Sequence, residues 1–147
     1  MKIGDVIAGK GHHVVTVWPE KPLRKILLLF EERNIASVVV VDHADSPLGI
    51  VTDRDALRAL VRTSMAALDR PVSNMMQAPV PSCSPDDTVN HVLRMMTEKR
   101  VRHVLVMREN RMIGIVSIGD LVKFRLKDAD LENQVLRDLA LTRMAGE

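Results

Sequence analysis

The chain has 147 residues, of which 21 are basic and 19 acidic, so its formal net charge is +2. This length suits one compact domain or two small ones, which can bury a core without disulfides or metals. The balanced charge and the scarcity of aromatic residues, 2% of the chain, argue against a nucleic-acid partner. The apolar runs are too short to cross a bilayer, and the single Cys83 fits a reducing compartment. We therefore expect a cytoplasmic protein with no membrane partner.

The first half of the chain predicts strand, helix, strand, strand and helix in that order. Residues 14–19 are strand-like and end at a proline, and apolar residues recur at helical spacing over 23–30. The continuous apolar run at 35–41 is typical of a strand buried on both faces. A short strand at 48–51 follows, and a helix is expected over 53–62.

The second half repeats this order 66 residues later, and the offset falls to 65 after a polar turn that is one residue shorter. The strand-like segment is now 80–85, and strands are expected at 101–108 and 113–116. Ser84, followed by Pro-Asp-Asp, predicts the N-cap and first turn of a helix. The last helix of the repeat is expected over 119–127.

This duplication predicts an α+β fold in which two β-α-β-β-α repeats pack face to face about a pseudo-twofold axis. Residues 1–70 hold the first repeat with an N-terminal segment, of which 1–13 stand outside the repeat. Residues 71–127 hold the second, and 128–147 form a C-terminal helix with apolar residues between charges. A lone unit of about 60 residues has a thin core, which is the physical reason to keep two.

A short motif follows the last strand of each copy, GIVTDRD at 49–55 and GIVSIGD at 114–120. The spacing Thr52-x-x-Asp55, and likewise Ser117-x-x-Asp120, fits a capping box at the start of a helix. It fits a ligand site equally well, since free N–H groups and partial positive charge at a helix start attract phosphate. The two interpretations are compatible, and the occurrence at both junctions favours ligand contact.

The chain resembles a tandem pair of cystathionine-β-synthase-type (CBS) domains over residues 1 to about 127. The two motifs above and the segment MTEKRVRH at 96–103 carry the resemblance. It implies a regulatory module that binds adenine nucleotides such as AMP, ADP, ATP, NAD or S-adenosylmethionine derivatives. It also implies a homodimer formed through the helices, a regulated protein partner, and no catalytic cofactor.

The resemblance further implies which residues contact the nucleotide. The hydroxyl residue of each motif would contact phosphate and the aspartate would bind ribose, so that Thr52 and Asp55 serve one cleft and Ser117 and Asp120 the other. Residues leading into the central strands would offer backbone groups to the adenine edge, namely Ile35, Ala36, Ser37, Val101, Arg102 and His103. Opening strands around Val14, Thr16, Val80 and Ser82 would wall the base.

Cations near these junctions have two interpretations. Arg54, whose counterpart is Ile118, would contact phosphate or remain solvated, and in the first case its cleft favours the more highly phosphorylated nucleotide. Arg100, with Arg102 and His103, would contact a polyphosphate or complement the C-terminal end of a helix. Lys10 lies in a flexible entry turn from which it could reach a phosphate.

No nucleophile, base and orienting group occur at a recognisable spacing, so we expect no catalysis. The histidines are scattered and Cys83 lies in a predicted strand, so we expect neither a metal site nor a reactive thiol. The leading hypothesis is a nucleotide-binding regulator. The alternative is a structural dimerisation module with vestigial clefts, in which the C-terminal helix binds another chain.

Overall fold

The computed structural model describes residues 1–145 and has the predicted α+β architecture, with five α-helices and two three-stranded sheets. The helices are α1 (Ile3–Lys10), α2 (Leu23–Arg33), α3 (Asp53–Thr63), α4 (Val89–Lys99) and α5 (Ile118–Ala145). The strands are β1 (Thr16–Val17), β2 (Ser37–Val41), β3 (Pro47–Thr52), β4 (Ser82–Cys83), β5 (His103–Arg108) and β6 (Arg111–Ser117). Two short 3-10 turns, Ser64–Asp69 and Val72–Asn74, connect the halves.

The two sheets have the same topology, which confirms the predicted repeat. Their orders are β1-β2-β3 and β4-β5-β6, each with one parallel and one antiparallel pair. Even the register is repeated, because Val38 pairs with Val51 in the first sheet and Val104 with Val116 in the second. The strands β2 and β5 are the buried centres of their sheets, as their continuous apolar sequences predict.

Helix α4 begins at Val89, one turn later than the sequence predicts. The Thr88 hydroxyl, not that of Ser84, accepts the backbone N–H of His91 and caps the helix (3.1 Å). Ser84 instead opens a tight turn and donates its backbone N–H to Asp87 (2.8 Å). Two carbonyls of this turn accept N–H groups of α1 and therefore cannot begin the helix.

Helix α5 joins two segments that the sequence suggested were separate. It runs without a break from Ile118 to Ala145, so the last helix of the second repeat continues into the C-terminal extension. The junction at residues 127–128 contains neither glycine nor proline, and nothing there stops the helix. Residues 146–147 of the predicted extension lie outside the described part of the chain.

Three apolar clusters form the core. One fills the first half around Leu23, Ile26 and Val51, and another fills the second around Val92, Met96 and Leu121. The third joins the two sheets. Its buried members are Val39, Val41 and Leu105, and Val14, Val80, Met107, Met112 and Ile115 pack against them.

The segment that precedes each half in the sequence packs against the core of the other half. Helix α1 begins the chain, yet Ile3, Val6 and Ile7 are buried in the core of the second half. Conversely, Val72 is buried in the core of the first half, and Met75 packs against it. Two backbone hydrogen bonds follow the same exchange. The first N–H of α2 donates to the carbonyl of residue 70 (3.0 Å), and the first N–H of α4 donates to the carbonyl of residue 1 (3.0 Å). We call residues 1–10 and 70–77 the leading segments.

The first glycine of each repeated motif makes room for a leading segment. A Cβ atom at Gly49 would lie 2.6 Å from Met76 Sδ and 2.9 Å from the carbonyl oxygen of Gln77. At Gly114 it would lie 2.5 Å from Cδ1 of Ile7. The sequence alone does not show this requirement.

Of the helices described for residues 1–145, none is both long and apolar enough to span a bilayer.

Candidate functional site

A narrow cleft lies between the two halves where the first repeated motif faces the entry to β5. The first motif contributes Thr52, Asp53 and Arg54, and the second half contributes the entry to β5 at residues 100–103. Ile50, Gln77 and Pro81 complete the lining. Its volume is about 40 Å³, little more than one water molecule occupies in the liquid. A nucleotide therefore requires the surrounding side chains to move apart.

Three arginines make this cleft basic. Arg54 comes from the first half, and Arg100 and Arg102 come from the second. All three are exposed at their outer ends, so their long side chains are free to turn toward a ligand. Arg100 ends α4 in a left-handed conformation with φ 54°, which costs a residue with a Cβ some stability. The same conformation ends α2 at Asn34, and at Arg100 it brings the residue to the cleft.

His103 lies at the base of this cleft, and its Nδ1 atom is buried without a hydrogen-bond partner among residues 1–145. Burial lowers the pKa of His103 below its ordinary value, and the nearby carboxylates of Asp53 and Asp120 only partly offset this effect. Burial therefore favours the neutral form of the ring. A buried polar atom without a partner usually indicates a missing ligand or water.

Asp55 is almost completely buried among protein groups, apart from an edge that lines a cavity beside α3. Its side chain is only 4% exposed. One oxygen accepts the backbone N–H (2.9 Å) and hydroxyl (3.0 Å) of Thr52, which forms the predicted capping box. The other accepts the Gln77 amide (2.8 Å) and lies 3.8 Å from Arg58. A ribose hydroxyl would have to replace one of these donors.

Asp120, the equivalent carboxylate, is more open. It accepts the backbone N–H of Ser117 (2.8 Å), and its own N–H donates to the Ser117 hydroxyl (3.0 Å). Lys10 donates to the same carboxylate at 2.5 Å, and the two side chains remain 35% and 26% exposed. Burial raises the pKa of Asp120, but the hydrogen bonds from Lys10 and Ser117 outweigh it, and the pKa lies below its ordinary value.

Lys10 and Gln77 therefore have the same structural role in opposite halves. Each comes from a leading segment and donates to the aspartate of a motif. Each also binds the strand before that aspartate. The Lys10 ammonium donates to the carbonyl of Ile115 (2.6 Å), and the Gln77 backbone N–H donates to that of Ile50 (2.9 Å). One aspartate is thus covered by a cation and the other by a neutral amide.

The residues expected at the adenine edge lie beside the motifs. The carbonyl of Ala36 accepts the N–H of Asp53 (3.0 Å), and the carbonyl of Arg102 accepts that of Ile118 (2.9 Å). Ser37 pairs with Thr52 in the first sheet. The remaining two, Ile35 and Val101, are half-buried next to these contacts.

The residues expected to wall the base are divided between two places. Val14 and Val80 pack in the cluster between the sheets. Thr16 is exposed on β1 and lines a different cavity with turn residues of both halves, among them Asp45 and Asn110. Ser82 is likewise exposed and pairs with β5. The structure therefore brings neither Thr16 nor Ser82 into the central cleft.

Sequence patterns missed Gln77 and the role of Lys10. The signal that could have found them is the weak match between Ile-x-x-Val-Ile at 3–7 and Val-x-x-Met-Met at 72–76. That match has an offset of 69, whereas the rest of the repeat has 66 or 65. Of the other candidate groups, Cys83 is buried, and burial together with the charge of Asp87 raises its pKa to about 12. Within residues 1–145 no three metal-binding side chains cluster.

Comparison with known proteins identifies this architecture. A sequence model of the CBS domain matches residues 3–62 and 72–127. The chain belongs to the CBS-domain family. The crystal structure of the CBS-domain containing protein ATU1752 from Agrobacterium tumefaciens is similar, with a TM-score of 0.82, 36% identity and coverage of 84% of this chain and 92% of that one.

Two further CBS proteins are similar to this chain. The CBS domain pair of protein MJ0100, solved in complex with 5-methylthioadenosine and S-adenosyl-L-methionine, shares the fold with a TM-score of 0.77 and 20% identity, over 87% of this chain and 98% of that one. The CBS domain-containing protein CBSX3, mitochondrial, of Arabidopsis thaliana is 28% identical over 129 residues, or 82% of this chain. The chain spans 63% of the length of that relative.

Proposed function

We propose that this CBS pair binds adenosine nucleotides at its two motif junctions and thereby modulates a protein partner. The ligand class comprises AMP, ADP, ATP, NAD and S-adenosylmethionine derivatives. Support comes from the family match and from the adenosine-type ligands bound by the CBS pair of MJ0100. The proposed role is regulatory and without catalysis, in the cytoplasm.

One observation carries the proposal: the first motif, with its own Arg54, faces Arg100, Arg102 and an unpaired buried nitrogen across the cleft between the halves. A phosphate group accepts hydrogen bonds from guanidinium groups in fork geometry. The N–H groups at the start of α3 add a partial positive charge. Capping alone explains Thr52 and Asp55, but it explains neither the opposing arginines nor the Nδ1 atom of His103.

The two junctions would differ in the free energy needed to admit a ribose. At the second junction the ribose hydroxyls take the place of Lys10 on Asp120, and the released ammonium group pairs with phosphate. At the first, the ribose must displace the Gln77 amide from a carboxylate that is 4% exposed. We propose Asp120 as the principal ribose ligand. Ser117 would serve its phosphate and Thr52 that of the other cleft.

A homodimer follows from an exposed apolar surface, which we call the helix face. In the first half it consists of Leu57 and Val61 on α3 and Met65 in the 3-10 turn that follows, which are 62%, 76% and 70% exposed. On α5 the residues equivalent to the first two, Val122 and Leu126, are 47% and 62% exposed. Large apolar side chains repeated at matching positions of both halves indicate an interface. We propose that two copies pair through this face.

The decisive experiment is calorimetric titration of the native chain with AMP, ATP, NAD and S-adenosylmethionine. Asp120→Asn keeps a side chain that caps a helix well but removes the charge that binds ribose. We expect a loss of about 1.5–3 kcal/mol of binding free energy, or about 10–100-fold in affinity. Asp130→Asn, on the exposed outer part of α5, is the matched control and should bind like the native chain.

The alternative, a structural dimerisation module, is favoured by the exposed leucines of the outer part of α5. Leu131, Leu136 and Leu139 are about equally exposed, at 60%, 63% and 60%. A thermal-shift panel with the four nucleotides at millimolar concentration separates the two functions. A ligand at 100 times its dissociation constant stabilises the fold by about 2.7 kcal/mol. Absence of any shift, with a dimer in solution, would establish the alternative.

A further inference from the structure

The first half contains a second basic cavity outside the central cleft. It has a volume of about 350 Å³ and lies between α3 and residues 67–77. Three arginines line it, Arg58 and Arg62 from α3 and Arg70 from the connection between the halves. This volume is at the lower end of the range of about 300–1,000 Å³ for small-molecule sites. It therefore suits a compact ligand rather than a whole nucleotide.

The charges around this cavity are not balanced by the protein. Arg58 lies 3.8 Å from Asp55, whose oxygens already accept hydrogen bonds from Thr52 and Gln77. Within residues 1–145, neither Arg62 nor Arg70 forms an ion pair or a side-chain hydrogen bond. Three guanidinium groups around one space repel one another, and an anion between them removes that repulsion.

The second half differs in this region, because its cavity of about 360 Å³ lies against the start of α4 rather than against the position equivalent to Ala59. Residues 65 positions after α3 form the first part of α5, and Phe124 stands where the first half has Ala59. The Phe124 ring packs against the core of the second half. In the first half, Ala59 and Ala67 leave the equivalent space open. The cavity therefore arises from small residues at these positions rather than from the fold.

The region around the cavity is also less acidic in the first half than in the second. The second half has Asp128 where the cavity has Thr63, and Asp5 where it has Asn74. The basic residues of the helix are retained, as arginines in the first half and lysines in the second. The first half thus lacks two carboxylates and a ring, and it has guanidinium groups that bind planar, multidentate anions better than ammonium groups do.

We propose that this cavity is a phosphate-binding site, for the free ion or for a small phosphorylated metabolite. The arginines supply forked donors to the phosphate oxygens, and the Asn74 amide at the wall supplies a neutral donor. The apolar side chains of Met75 and Met76 form the remaining wall and would contact the carbon skeleton of an ester. The cavity shares Asp55 and Gln77 with the first junction, where the two side chains are hydrogen-bonded to each other, but none of the three arginines of the central cleft lines it. The proposal stands whether or not the clefts bind nucleotides.

The test is calorimetric titration of the full chain, free of nucleotide, with inorganic phosphate and separately with ribose 5-phosphate in a chloride buffer. Loss of one charge-assisted hydrogen-bonding partner should weaken binding about tenfold or more. We expect this for Arg62→Gln and for Arg70→Gln, whose side chains are exposed and whose replacement should leave the fold intact. Arg137→Gln, on the exposed outer part of α5, is the matched control and should bind phosphate normally, whereas Arg102→Gln reports on any phosphate bound at the central cleft.

Ala59→Phe provides an independent test, because it fills the cavity as Phe124 fills the second half. A folded Ala59→Phe protein should lose phosphate binding, and if it fails to fold the arginine variants still decide. Equal affinity for both probes identifies the free ion, and tighter binding of ribose 5-phosphate identifies an ester; both support the site. The proposal is wrong if the native chain binds neither probe, if both arginine variants retain native affinity, or if Arg102→Gln abolishes binding.

Discussion

The two copies of the motif have the same spacing but place their carboxylates in different environments. Asp55 is buried and surrounded by Thr52, Gln77 and Arg58, whereas Asp120 is partly exposed and paired with the mobile end of a lysine. A buried, fully hydrogen-bonded carboxylate mainly stabilises the fold, because removing its partners leaves costly unpaired groups. A partly exposed ion pair contributes little stability and can exchange its partner for a ligand. One motif can therefore be chiefly structural while its duplicate remains available for binding.

The largest expected effect is on stability at the first junction. Asp55→Ala removes the acceptor for three hydrogen bonds and leaves buried donors, which should lower the free energy of unfolding by about 2–4 kcal/mol. Asp120→Ala should cost about 1 kcal/mol, the usual value for a helix cap. Urea denaturation of both variants measures the difference. Equal decreases in the free energy of unfolding would mean that the two aspartates stabilise the fold equally.

Substitution of the motif glycines should also destabilise the first half more than the second. Gly49→Ala places a methyl group against a backbone carbonyl that cannot easily move, and overpacking of this kind costs about 1–3 kcal/mol. Gly114→Ala meets only the end of the flexible Ile7 side chain, so its cost should lie at or below about 1 kcal/mol. Thermal unfolding of the two variants provides the measurement. Gly9→Ala, where a methyl group meets nothing within 4 Å, is the control.

The identity of the covering residue should set ligand preference. Lys10→Gln gives the second junction the neutral amide of the first, so no ammonium group remains to meet phosphate. We expect the preference for AMP over adenosine at Asp120 to fall by about 1.4 kcal/mol, or about tenfold. Titration of native and variant chains with both ligands measures it.

Lys25→Gln, on the exposed side of α2, removes the same charge elsewhere and should leave the preference unchanged. An unaltered AMP-to-adenosine ratio in Lys10→Gln would show that Lys10 does not meet the phosphate.

The smallest expected effect is the pH dependence of the Lys10–Asp120 pair. The pKa of Asp120 is lowered in the fold, so its contribution is present above the unfolded pKa, near 3.9, and is lost as pH falls through the folded value. Lys10→Gln should therefore destabilise the chain by about 0.5 kcal/mol at pH 7 and by less at pH 3. Urea denaturation at the two pH values tests this. A destabilisation that is the same at both would exclude the ion pair as its cause.

The fold could be predicted because the repeat is expressed in apolar periodicity. Buried strands such as β2 and β5 and the amphipathic helix α3 have patterns that burial on one or both faces requires. The paired carboxylates were found because Thr52-x-x-Asp55 and Ser117-x-x-Asp120 occur at equivalent positions. The capping box, one of the two interpretations given to this motif, is present at Thr52 and Asp55.

The covering residues could not be predicted because their contacts are not local. Lys10 reaches a carboxylate 110 residues away, and no helix or strand period relates the two. Gln77 lies in a connection whose sequence has no helix or strand periodicity, and it forms an isolated β-bridge with Ile50. The start of α4 was missed for a related reason, since Ser84 makes its hydrogen bonds within a turn that α1 holds in place.

The exchange of leading segments has a consequence for how the chain is made. Helix α1 is synthesised before the other helices described, yet Val6 is buried against residues of the second half, as distant in sequence as Val116 and Leu121. Its apolar side chains therefore stay exposed until the second half has been synthesised as far as Leu121. Contacts of such long sequence separation slow folding. The first half can close sooner, once Val72 and Met75 have emerged. Helix α1 is thus synthesised before the other described helices but is among the last to pack.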